Sequence, residues 1–190
     1  MKIIRKSVFE TNSSSTHVIS ITKHSNYNIP KHINFKFGEF GWEYATYKDM
    51  ESKASYLYTM TEYFNGEYIK EFNKRELYLK KIMEYLDEEG ITYTFEDRKV
   101  NEYGWDDNGF IDHGAYSPEI IEGILESKEK FFRYLFDDRS YITTGNDNNL
   151  GYYIPEIGYE DDYFDEYNEE EWNRQVNRLK EDNDIYFKGN

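Results

Sequence analysis

The sequence predicts an α/β fold of the α+β type: a mostly antiparallel sheet that starts with an N-terminal β-hairpin and has helices packed on one face. Three observations predict it. Ile33, Phe35 and Phe37, and again Ile91, Tyr93 and Phe95, alternate with polar residues, the period of a half-buried strand. Apolar residues three and four apart, near 47–89 and 117–136, mark amphipathic helices. The two patterns do not alternate regularly enough for a doubly wound parallel sheet. At 190 residues the chain suits a single domain, 1–190, with a real core.

The hairpin is placed at Lys2–Thr22. Ile3, Ile4, Val8 and Phe9 supply its first arm, and Val18, Ile19 and Ile21 its second. Between them Thr11-Asn12-Ser13-Ser14-Ser15-Thr16 forms a Ser/Thr-rich loop without glycine, although a hairpin connection needs only about two to five residues. His17 stands at its base, so many hydroxyls surround the side chain that titrates nearest neutral pH. Such residues also serve ordinary Asx and Ser/Thr turns, and His17 can simply begin a strand.

Further on, helical spacing runs from Tyr47 through Thr61. After Asn65-Gly66 a second helix extends from about Glu67 to Glu89, with Gly90 as its stop. Its Lys74, Arg75, Lys80 and Lys81 read as a solvated face, as His24 and His32 read as surface residues. Phe110–Gly114 reads as a short strand. There His113, beside Asp112, is either a catalytic or substrate-orienting residue or a histidine held by a local hydrogen bond. Ser117-Pro118-Glu119 is a helix start, with Ser as cap, Pro in the first turn and Glu favoured by the dipole. A further helix follows over 128–136. Ser140–Thr143 is strand-like and leads into a polar loop, Thr144–Asn149, whose Asp147 suits a turn, a metal or a histidine partner. Residues 169–181 close the fold as a helix with Trp172, Val176 and Leu179 buried.

The segment Arg5-Lys6-Ser7-Val8-Phe9-Glu10-Thr11-Asn12-Ser13-Ser14-Ser15-Thr16-His17 resembles the opening of a group of small phage and Firmicutes proteins that includes type II-A anti-CRISPR proteins. Those proteins disable Cas9 by truncating its guide RNA. The resemblance covers about the first 20 residues, with weaker echoes at Ile111-Asp112-His113 and Ser140–Asn148. It implies a Cas9–guide RNA complex as partner, with RNA met through that effector.

Composition narrows the classes. Aromatics make up 19% of the chain, with 20 Tyr and 13 Phe, and each buried ring removes about 150–250 Å² from water. There is no Cys, which excludes disulfides, thiolate zinc sites and cysteine nucleophiles. No metal site and no cofactor are expected, because no His-Glu-x-x-His and no Gly-rich phosphate loop occur. Without an apolar leader or spanning segment, no membrane partner is expected, and the expected location is the cytoplasm of a bacterial host.

Net charge is −15, unevenly spread. Residues 1–37 carry Lys2, Arg5, Lys6, Lys23, Lys31 and Lys36 against Glu10 alone. The acidic aromatic surface region, 137–171, holds twelve carboxylates against Arg139. A chain this acidic is repelled by free nucleic acid, whose phosphates dominate such affinity. Two functions therefore compete. As a ribonuclease acting on guide RNA, it would use His17 and His113 as acid and base, worth about 10²–10⁴-fold in such roles. Arg5 would steady the phosphate; Asn12, Ser13, Ser14, Ser15 and Lys6 would hold substrate oxygens. As a non-enzymatic inhibitor, it would present carboxylates such as Asp161, Asp162, Asp165 and Glu166 to a basic nucleic-acid-binding groove.

Overall fold

The computed structural model describes residues 15–41, 43–62, 74–99, 109–112, 118–146, 152–159 and 166–188. Its main sheet has four strands in the order β3-β5-β1-β8, every pair antiparallel. These are β1 (Ser15–Thr22), β3 (Ala45–Tyr47), β5 (Tyr141–Asn146) and β8 (Asn183–Lys188). A parallel pair, β2 (His32–Phe35) with β4 (Thr92–Phe95), and a small hairpin, β6 (Tyr153–Ile154) with β7 (Gly158–Tyr159), complete the strands. The helices are α1 (Met50–Glu62), α2 (Arg75–Glu88), α3 (Pro118–Ile124), α4 (Lys128–Phe136) and α5 (Glu166–Asp182).

β1 is the hub. Its first arm as a hairpin, Lys2–Phe9, lies outside the described residues. Along His17–Ser20 both edges of β1 are occupied by strands from the far half of the chain: His17 lies opposite Thr144 on β5 and opposite Lys188 on β8. All eight residues of β1 are buried, because both faces of the sheet are covered. On one face Ile19, Ile21 and Ile142 join the main core with Ala54 and Leu57 of α1, Ile120 and Ile124 of α3, and Phe131 and Leu135 of α4. On the other face Val18 packs with Ile154 and with Trp172 and Val176 of α5. The helices near 50–62 and 128–136 thus cover one face as the sequence predicts, while the closing helix covers the reverse.

Local chemistry accounts for the element ends. Asp49 accepts from the Ser52 amide at 2.8 Å, so the helix begins at Met50, and Tyr47 belongs to β3 rather than to the helix predicted from it. Ser127 caps α4 by accepting from the Lys130 amide. Gly90, at φ 68°, takes the left-handed conformation that ends α2. Four strands escape the sequence pattern: β3, β6, β7 and β8. The expected loop from Thr144 is, through Asn146, the end of β5 paired with Ser15–His17.

Candidate functional site

Residues two apart on a strand share a face, so Ser15, His17, Ile19 and Ile21 point together toward α1 and α4. The apolar pair fills the core and leaves a polar end at Ser15 and His17. His17 is fully enclosed. Its Nε2 lies 3.2 Å from the Gly41 carbonyl, which can only accept, so Nε2 carries the proton. Its Nδ1 then accepts from the Tyr56 hydroxyl of α1 at 2.9 Å. Burial, with the Lys188 charge in second place, lowers the His17 pKa to about 3. The ring is neutral at physiological pH, with both nitrogens engaged.

Lys188 reaches the same polar end from β8. Its ammonium donates to the Ser15 hydroxyl at 3.2 Å and to the Asp112 carbonyl at 2.9 Å. Ser15 donates to that same carbonyl at 2.6 Å. Three distant segments are therefore clasped at one point: the start of β1, the Phe110–Asp112 stretch and the end of the last strand. Burial lowers the Lys188 pKa to about 8, with the Asp112 charge opposing.

The arrangement bears on the role expected of His17. A general acid or base needs a pKa near the working pH and access to the reacting proton. His17 has neither; it is a buried, neutral link between β1, α1 and the Gly41 loop. Ser15, expected to hold substrate oxygens, spends its hydroxyl on the Asp112 carbonyl and accepts from Lys188. What the structure brings together is Ser15 and Asp112, the neighbour of His113. Arg5, Lys6, Asn12, Ser13, Ser14, His113, Asp147, Asp161, Asp162 and Asp165 lie outside the described residues, and of Glu166 the structure gives its place at the start of α5. His24 and His32 are exposed, as expected of surface histidines. The residues that sequence reasoning missed are Tyr56 and Lys188. Ile185-Tyr186-Phe187 is a strand-like run that points toward β8, but no pattern in the sequence ties Lys188 to Ser15.

The carboxylates of the acidic region and of α5 are of two kinds. Asp137 is fully buried, held by Arg139 in a two-pronged ion pair and by the Asn26 amide, so it belongs to the scaffold and not to the surface. Glu169, Glu170, Glu181 and Asp182 on α5 are exposed. The opposite side of this helix anchors them, with Trp172 and Val176 each only 4% exposed against the sheet.

Among the described residues no group of three or more His, Asp or Glu side chains is arranged to hold a metal ion. No described helix is long and apolar enough to cross a membrane. No family model, curated protein or solved structure matches the chain.

Proposed function

We propose that this protein is an anti-CRISPR inhibitor of a type II-A Cas9 that works without catalysis, setting exposed carboxylates against a basic nucleic-acid-binding groove. One observation carries the choice between binding and cleavage: the acid–base residue expected at the motif, His17, is enclosed and held neutral, while α5 presents carboxylates on a firmly anchored helix. Carboxylates of this kind stand in for phosphates, and a −15 chain is drawn toward a basic surface. Truncation of guide RNA is the competing reading. It is favoured by the meeting of Ser15 with Asp112, which joins two of the three stretches where the resemblance lies.

The test is a DNA-cleavage assay with purified Cas9 and guide, with the guide sized on a denaturing gel with and without chelator. Inhibition should occur with the guide at full length. It should weaken when Asp161, Asp162, Asp165, Glu166, Glu169 and Glu170 are changed to their amides, and persist in His17→Gln. A shortened guide, lost in His17→Gln, would establish cleavage instead. Unimpaired DNA cleavage at saturating protein would refute both.

A further inference from the structure

The outer face of α5 is not uniformly acidic. Glu170, Asn173, Arg174, Asn177, Arg178 and Glu181 line one shallow groove along the helix, opposite the buried Trp172 and Val176. Read along the axis, the charges run acidic, basic, basic, acidic. With 1.5 Å of rise per residue, the two arginines stand about 6 Å apart and the outer glutamates about 16 Å apart. Arg174 pairs with Glu171 one turn back, an exposed contact that holds little free energy and exchanges readily. Arg178 makes no ion pair among the described residues. The two asparagines lie beside the arginines with no hydrogen-bonding partner among the described residues.

A purely basic protein surface would match the outer glutamates and repel the central arginines. A free nucleic-acid strand would match the arginines, but it meets both the glutamates and the overall charge of −15. A second copy brings that same net charge and is repelled as a whole. One partner satisfies all four charged positions: a nucleic-acid strand lying in a basic protein groove. Its phosphates face Arg174 and Arg178, spaced like neighbours along a strand, while cations on the two walls face Glu170 and Glu181. The asparagine amides can meet base or sugar edges.

We infer that the outer face of α5 binds across a nucleic-acid strand held in a basic protein groove, with Arg174 and Arg178 on phosphates and Glu170 and Glu181 on the groove walls. This rests on the inhibitor reading above and adds that the preferred target is the loaded form of the effector.

The experiment measures equilibrium binding of fluorescently labelled protein to three probes: type II-A Cas9 with its guide RNA, Cas9 alone, and the guide alone. Loaded Cas9 should bind at least tenfold more tightly than empty Cas9, and the guide alone should bind most weakly. Arg174→Gln with Arg178→Gln should bring the loaded-to-empty ratio close to one. It should also reduce the salt dependence of log K for the loaded complex by about 1.4, the loss of two single-strand phosphate contacts at ~0.7 each. Both arginines are exposed, so an unchanged thermal transition will show that the double variant folds. A wild-type ratio near one, a ratio that the double variant leaves unchanged, or guide alone binding as tightly as loaded Cas9 would each overturn the inference while leaving the inhibitor reading standing. Absence of binding to Cas9 in either form would remove that reading itself.

Discussion

Enclosing His17 makes stability fall with acid in a way that one side chain controls. In the unfolded chain its imidazole takes up a proton near pH 6.5; in the fold it does so only near pH 3. Between those values the unfolded state binds the extra proton, so stability drops as pH falls. At pH 8 the linkage is silent. At pH 5 the unfolded state gains about 2 kcal/mol from this residue, approaching about 5 kcal/mol below pH 3. Set against a typical 5–15 kcal/mol for a whole domain, roughly 2 kcal/mol is a readable fraction. His17→Gln isolates it: the amide N–H can still donate to the Gly41 carbonyl and its oxygen can still accept from Tyr56, but nothing titrates. Urea unfolding followed by Trp and Tyr fluorescence at pH 8, 7, 6 and 5 gives the free energies of both proteins. Carboxylate titration is common to both and cancels in the difference. That difference should shift against the wild type by about 2 kcal/mol between pH 8 and pH 5. A flat difference would refute the account, as would an NMR titration of the folded protein in which the His17 ring protonates between pH 7 and pH 5.

Three further outcomes follow from the scaffold. Lys53 is fully buried and donates to the Asp137 and Ser140 carbonyls; burial lowers its pKa to about 8, so the fold releases that proton before the unfolded chain does and gains about 1 kcal/mol from this residue between pH 7 and pH 9, and since Lys188 titrates alike in both proteins, urea unfolding should show the wild type gaining about 1 kcal/mol more than Lys53→Met over that interval. Gly109 packs so closely on Gly38 that a Cβ would lie 2.0 Å from the Gly38 carbonyl oxygen, and Gly109→Ala should lower the melting temperature by roughly 5–10 °C. Ser15→Ala and Lys188→Met, combined in a double-mutant cycle of unfolding free energies, should couple by about 0.5–1.5 kcal/mol, and additive effects would show that the clasp carries no energy.

Much of the fold was legible because it depends on local pattern. The period-two runs at 33–35 and 92–95 became β2 and β4, and Gly90 ended its helix for the conformational reason that singled it out. β3, β6, β7 and β8 were not legible: Ala45–Tyr47 has three residues, β6 and β7 have two each, and Asn183–Lys188 follows α5 without a break. The reach of β1 was hidden for a different reason. A strand rich in Val and Ile announces itself, but not whether its partner is nine residues away or at positions 141–146 and 183–188. The candidate site shared that fate. Ser15 and Asp112 each stood out locally, while the burial of His17 depends on covering from α1, β5 and β8 at once, and its protonation follows from that burial. The parallel pairing of β2 with β4 also needs contacts about 60 residues apart, which alternation alone does not specify.

Where the chain puts its charges bears directly on how it could bind. Two of its cations, Lys53 and Lys188, are enclosed, and their ammonium groups donate to backbone carbonyls and to Ser15 rather than to carboxylates. Among the described residues Asp137 is the buried exception among the acids, and it is matched by Arg139. Glu84 and Asp87 of α2 and Glu170 and Glu181 of α5 are at the surface. Among the described residues, with Lys130 also buried, the interior therefore withholds more positive than negative charge, and low-dielectric protein keeps that charge away from any partner. Exposed carboxylates act on any basic surface over roughly one screening length, about 8 Å at physiological ionic strength. Arg174, Arg178 and Lys180 are the exposed cations of α5, and the two arginines share their stripe of the helix with Glu170 and Glu181.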